Sequence, residues 1–201
     1  MVAELKPPRL LVKPGVREEE FYALGEDSDW EYVDGRLVMS PASDRHEDLF
    51  CFLLALLRTF LDERGGGVVR GSRYPMRLDE RWSPEPDLLV VRNEGLDRMT
   101  PLRLEGPADL VIEIASDGDP DYDAREKLPR YRAAGIPEIW LIDPFEKVVR
   151  SHRKTEAGYQ EVETSAGRLE SVVVPGFWID ARWLWRPKLP STFGCLKKIL
   201  G

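Results

Sequence analysis

Asp109-Leu110-Val111-Ile112-Glu113-Ile114-Ala115 is the stretch on which the fold turns. It reads as a strand of a sheet core with a carboxylate embedded in an apolar run. Strand side chains alternate between faces, so Glu113 shares a face with Val111 and Ala115. An ionised carboxylate in that setting is costly unless it is paired or bound to a cation. A buried arginine partner or a half-exposed face would account for this run equally well. The oddity repeats in Pro86-Asp87-Leu88-Leu89-Val90-Val91, where an acid stands at the very start of an apolar strand.

Towards the N-terminus, residues 30–34 and 36–39 flank Gly35, and Asp34-Gly35 between β-prone runs predicts a hairpin. Residues 17–24 suit a short helix with Phe21 and Leu24 inward. Asp44 is expected to open a longer helix, with Glu47 completing a capping box. Leu49, Phe52, Leu53, Leu56, Leu57 and Phe60 recur at helical spacing, and Gly65-Gly66-Gly67 ends the run. Cys51 is expected to be buried in that helix.

Further strands are predicted at 68–70, 74–78, 138–143, 147–153 and 159–162, with a helix at 124–134 stopped by Gly135 and Pro137. Pro129 suits only a first turn, so regular helix is expected from Glu126 or Lys127. Residues 169–174 and the region around Trp183 to Trp185 close the domain. This order gives an α/β class, α+β in its mixture, with a mixed central sheet flanked by helices. Residues 1–16 read as an N-terminal arm, 17–186 as one domain, and 187–201 as a tail with an apolar stripe of Phe193, Leu196 and Leu200.

Of the 201 residues, 42% are apolar and 32% charged, a balance that excludes a disordered or membrane-embedded chain. The longest apolar stretch, residues 49–61, is broken by Arg58 and too short to span a bilayer. The first 14 residues lack a signal-peptide core, so a cytoplasmic protein with no membrane partner is expected. Two cysteines, Cys51 and Cys195, make no disulfide framework. The net charge of −7 argues against a basic nucleic-acid coat protein, but it is unevenly spread. Residues 1–124 carry −12 and residues 125–154 carry +4. A local basic block can meet a phosphate backbone while an acidic part holds cations; ordinary solvated faces would look the same.

Taken in order, several stretches resemble the putative restriction-endonuclease family of bacterial proteins within the PD-(D/E)XK nuclease superfamily. They are Asp34-Gly35-Arg36-Leu37-Val38-Met39-Ser40-Pro41 leading to His46, then Pro86 to Val91, then Val111 to Ser116. Asp123-Ala124-Arg125-Glu126-Lys127-Leu128 follows, and the run from Tyr131 to Pro144 completes the likeness. The resemblance implies a restriction-endonuclease-like core and a metal-dependent endonuclease acting on DNA. It implies Asp87 and Glu113 as acidic ligands of Mg²⁺ or Mn²⁺, with the main-chain carbonyl of Ile114 completing the shell. The superfamily pattern places a lysine two residues after the glutamate, where this chain has Ala115. Lys127 is the nearest replacement, which the geometry supports if its nitrogen lies within about 5 Å of the acids. His46 and Tyr131 are expected at the substrate rim.

The alternative is a nuclease fold without catalysis that binds nucleic acid or a protein partner, which Ala115 and the negative charge favour. Glu85 is a candidate outer acid, whereas Ser116 suits a turn. Asp117, Asp119 and Asp121 read as loop acids, because the EF-hand template fails for want of its glycine and glutamate. His46, His152, Cys51 and Cys195 lack zinc-ligand spacing. A homodimer would suit cutting two strands, although no interface signal is visible.

Overall fold

In the computed structural model of the chain, the described residues are 10–25, 28–40, 42–71 and 73–201. The β-branched and leucine-rich runs assemble a six-stranded sheet in the order Gly158–Thr164, Val148–Thr155, Glu138–Asp143, Leu110–Ile114, Leu88–Arg92, Gly67–Gly71. Glu138–Asp143 and Leu110–Ile114 run parallel; the other neighbours are antiparallel. A parallel pair needs a crossover. Here the helical segment 123–134 supplies it, and so brings Lys127 back over the strand that carries Glu113.

Alternation along Leu110–Ile114 sends its side chains to two cores. Leu110, Ile112 and Ile114 join Leu53, Leu57 and Phe60 of the long helix Asp44–Arg64. Val111 joins Leu89, Ile139, Leu128 and Tyr131 on the opposite face. Each fully buried leucine contributes about 1.5–3 kcal/mol over its exposed state. Glu113 belongs to the second face, and burial at 2% exposure makes it the exception there.

The hairpin forms as Asp34-Gly35 predicts: Glu31–Val33 pairs with Arg36–Met39. Asp34 at φ +50° and Gly35 at +70° provide the positive dihedrals of a type I′ turn. This hairpin belongs to a four-stranded sheet with Leu11–Pro14 and Trp82–Ser83.

Several expectations change. The segment expected as an irregular arm contributes the strand Leu11–Pro14, paired with Arg36–Met39, because an open sheet edge accepts backbone partners regardless of side chain; residues 1–9 lie outside the described residues. The expected tail carries the helix Thr192–Leu200, which buries Cys195, Leu196 and Ile199 in the main core. Phe193, placed on the apolar stripe, is 67% exposed. The long helix is capped by Ser43, whose hydroxyl accepts the His46 N–H at 3.3 Å, so Asp44 lies inside the first turn. Cys51 is exposed, on the helix face turned from the sheet. Leu24 is exposed as well, just past the short helix Glu18–Tyr22.

Candidate active site

Strand pairing brings the two acids together. Leu88 lies opposite Ile112 in the antiparallel register, so one step further Asp87 meets Glu113. Their backbones and side chains interlock. Asp87 Oδ2 accepts the Ile114 N–H at 2.7 Å, and Glu113 Oε2 accepts the Asp87 N–H at 3.3 Å. Both carboxylates are therefore oriented by main-chain donors, which do not relax as side chains do.

The crossover supplies the third group. Residues Asp123–Lys127 form a π turn that passes into the α-helix Leu128–Ala134, with the Leu128 N–H reaching back to the Asp123 carbonyl. Pro129 has no N–H to offer, and the widened turn accommodates that gap at the start of the α-helix. Regular helix was expected from Glu126 or Lys127; the π turn is the local correction. It aims Asp123 and Lys127 together at the sheet. Lys127 Nζ lies 3.2 Å from Glu113, 2.9 Å from Glu31 and 3.1 Å from Asp123. Its nitrogen thus lies within about 5 Å of the Glu113 carboxylate, and at 4% exposure the lysine is buried.

Two residues expected at the rim lie deeper. Tyr131 is fully buried, and its hydroxyl donates to Glu113 Oε1 at 2.6 Å. It stands four residues after Lys127 on the same face, so the turn that delivers the lysine also delivers the hydroxyl. His46 is buried too, with Nε2 3.2 Å from Asp87. Ile114 contributes its N–H to Asp87 and lines the same cleft.

The electrostatics follow from one cation among several acids. Burial alone would lower Lys127, but Asp123, Glu113 and Glu31 outweigh it and hold the ammonium well above its ordinary range. Burial, helped by neighbouring acids, raises Glu113, Asp123 and Glu31 against the pull of Lys127. Glu85 is pushed up to about 8 by burial and by the charge of Glu31. Burial would lower His46, yet the hydrogen bond and charge of Asp87 raise it.

These groups line a cleft of 440 Å³. Its hard oxygen donors and surplus of buried negative charge fit a divalent cation. His46 Nδ1 and the Tyr122 hydroxyl are buried at its wall with no hydrogen-bond partner among the described residues. Among those residues no three His, Cys, Asp or Glu side chains group closely enough to hold a metal by themselves.

Sequence reasoning passed over Glu31. Its signal was an acid inside the short hairpin strand Glu31–Val33, ahead of Asp34-Gly35. Asp123 was noticed only as a neighbour of Lys127.

No helix among the described residues is long and apolar enough to cross a membrane. No curated protein matches the chain. A crystal structure of a putative nuclease of the DUF820 group from Anabaena variabilis superposes with a TM-score of 0.71 at 16% identity, covering 85% of this chain and 97% of that one. That likeness shows the mixed α/β fold. The family model described as "Putative restriction endonuclease" (Uma2) matches residues 18–182, and the chain belongs to that family.

Proposed function

We propose that this member of the putative restriction endonuclease family is a metal-dependent endonuclease that hydrolyses DNA phosphodiester bonds. The observation that carries the reading is the meeting of Asp87, Glu113 and Lys127 on one wall of the cleft, with the ammonium 3.2 Å from Glu113. Asp87 and Glu113 would hold Mg²⁺ or Mn²⁺, together with the carbonyl of Ile114. When bound, such an ion lowers the pKa of water and stabilises charge on a phosphoryl group undergoing in-line displacement.

The chain's own residues prepare that chemistry. The Ile114 N–H fixes Asp87, and the Tyr131 hydroxyl fixes Glu113, so neither acid must reorganise. Lys127, kept charged by its carboxylate partners, sets a permanent positive charge beside the acids, where phosphoryl charge develops. It takes the part that Ala115 cannot. His46, with Nε2 at 3.2 Å from Asp87, closes the helix side of the site.

The test is calorimetric titration of Mg²⁺ and Mn²⁺ with plasmid nicking on the same samples, for the native chain, Asp87→Asn and Glu113→Gln. Binding and nicking in the native protein, lost in both variants, is expected. Absence of both from the native protein overturns the reading. The engagement of Lys127 with three carboxylates favours the non-catalytic alternative, which metal binding without nicking would select.

A further inference from the structure

Among the described residues, eight carboxylate side chains line the cleft against two permanent cations, Lys127 and Arg73. A phosphate backbone approaching such a surface is repelled unless some positive charge meets it. Lys127 cannot be the first to do so, because it is buried and ion-paired with Glu31, Glu113 and Asp123. Arg73 is the opposite case. Its side chain is 56% exposed at the mouth, where the guanidinium pairs with the equally exposed Asp29.

The backbone of Arg73 is unusual as well. Its φ of +71° lies in the left-handed region that side-chain-bearing residues seldom adopt. Asp34 shares that feature, but inside a hairpin turn that calls for it. Arg73 sits instead in the loop along the cleft. Strain kept at a cleft edge points to function more than to stability.

We infer that Arg73 is a phosphate-contact residue, binding a backbone phosphate of duplex DNA at the mouth of the cleft, and that Asp29 is the counter-ion this phosphate displaces. The inference rests on the nuclease reading above and adds where the substrate is held. An exposed ion pair is weak, so exchanging Asp29 for phosphate is easy, and the guanidinium fork suits two phosphate oxygens at once. The contact keeps the polyanion from relying on a cleft that otherwise opposes it.

The experiment measures binding of a labelled DNA duplex by fluorescence anisotropy from about 50 to 200 mM salt, with calcium replacing magnesium. Arg73→Ala should reduce the slope of log affinity against log salt by about 0.9, the loss of one phosphate contact. Its affinity deficit should thus be about three- to fourfold larger at the lowest salt than at the highest. Arg73→Lys should keep the slope. Asp29→Asn should tighten binding in the native background and have no such effect on Arg73→Ala. An unchanged slope in Arg73→Ala, or an Asp29→Asn gain that persists without Arg73, overturns the assignment while leaving the nuclease reading intact. Failure of the native protein to bind the duplex at all overturns the nuclease reading, and Arg73 with it.

Discussion

Replacing Lys127 by methionine keeps the unbranched stem and removes the charge, so the packing loss is small. The electrostatic loss is not. Glu31, Glu113 and Asp123 all lie within 3.2 Å of the ammonium in a buried setting. Removing one member of a buried pair costs about 3–5 kcal/mol. A second limit comes from proton uptake, because one stranded carboxylate can be neutralised instead. An ordinary glutamate titrates near 4.3, and holding its proton at pH 7 costs about 3.7 kcal/mol at about 1.36 kcal/mol per pH unit. At pH 5 the same proton costs about 1 kcal/mol.

The sign follows from the raised acids. Burial and mutual repulsion already raise Glu31 and Glu113, and Lys127 is the group that pulls them back. In Lys127→Met their folded values climb further, so the folded chain binds more protons than the unfolded one. Stability is then intact below about pH 4.3 and lost as pH rises. Urea unfolding followed by tryptophan fluorescence should show a deficit of about 3.7 kcal/mol at pH 7 that shrinks to about 1 kcal/mol at pH 5. A deficit equal at both pH values, or none at pH 7, would refute the placement of Lys127 among uncompensated acids.

Tyr131→Phe removes a 2.6 Å hydrogen bond to a buried carboxylate. Thermal unfolding should register a loss of about 1.5–3 kcal/mol, and calorimetry a weaker affinity for Mg²⁺. Unchanged metal affinity would make Tyr131 a packing residue only. Glu138 is fully buried at the start of a core strand and accepts from the Trp140 indole, the Ser171 hydroxyl and the Val172 and Val173 N–H groups at 2.6–3.1 Å. Glu138→Ala leaves the Trp140, Ser171 and Val172 donors without their acceptor, while the Val173 N–H keeps the Ser171 hydroxyl oxygen at 3.2 Å, and a loss of about 3–5 kcal/mol is expected. A melting temperature lowered by less than about 3 °C would show that water replaces the carboxylate.

Much of the scaffold was legible because local rules write it. The Asp34-Gly35 turn needs two positive dihedrals, and the spacing from Leu49 to Phe60 defines one helix face, so both elements follow from short stretches of chain. Strand Glu138–Asp143 appears with its predicted bounds. Errors fell where a local signal competes with tertiary contact. Residues 11–14 look irregular but are captured by a sheet edge, and residues 192–200 look like a tail but cover the long helix. Ser43 lies one residue before the predicted cap, and a single residue decides which oxygen meets the His46 N–H.

The amino-acid sequence alone determined that Asp87 and Glu113 open and interrupt core strands, and that Ala115 stands two residues after Glu113. An apolar run advertises its misfit acid without any knowledge of the fold. Only the tertiary structure decided what surrounds those acids. Pairing of Leu88 with Ile112 makes them cross-strand neighbours, and the π turn ahead of Pro129 swings Lys127 inward. Folding the hairpin over the sheet adds Glu31, more than 80 residues away in the chain, at 2.9 Å from the ammonium. Burial of a charged side chain is a property of what packs against it, and those packing partners come from distant parts of the chain.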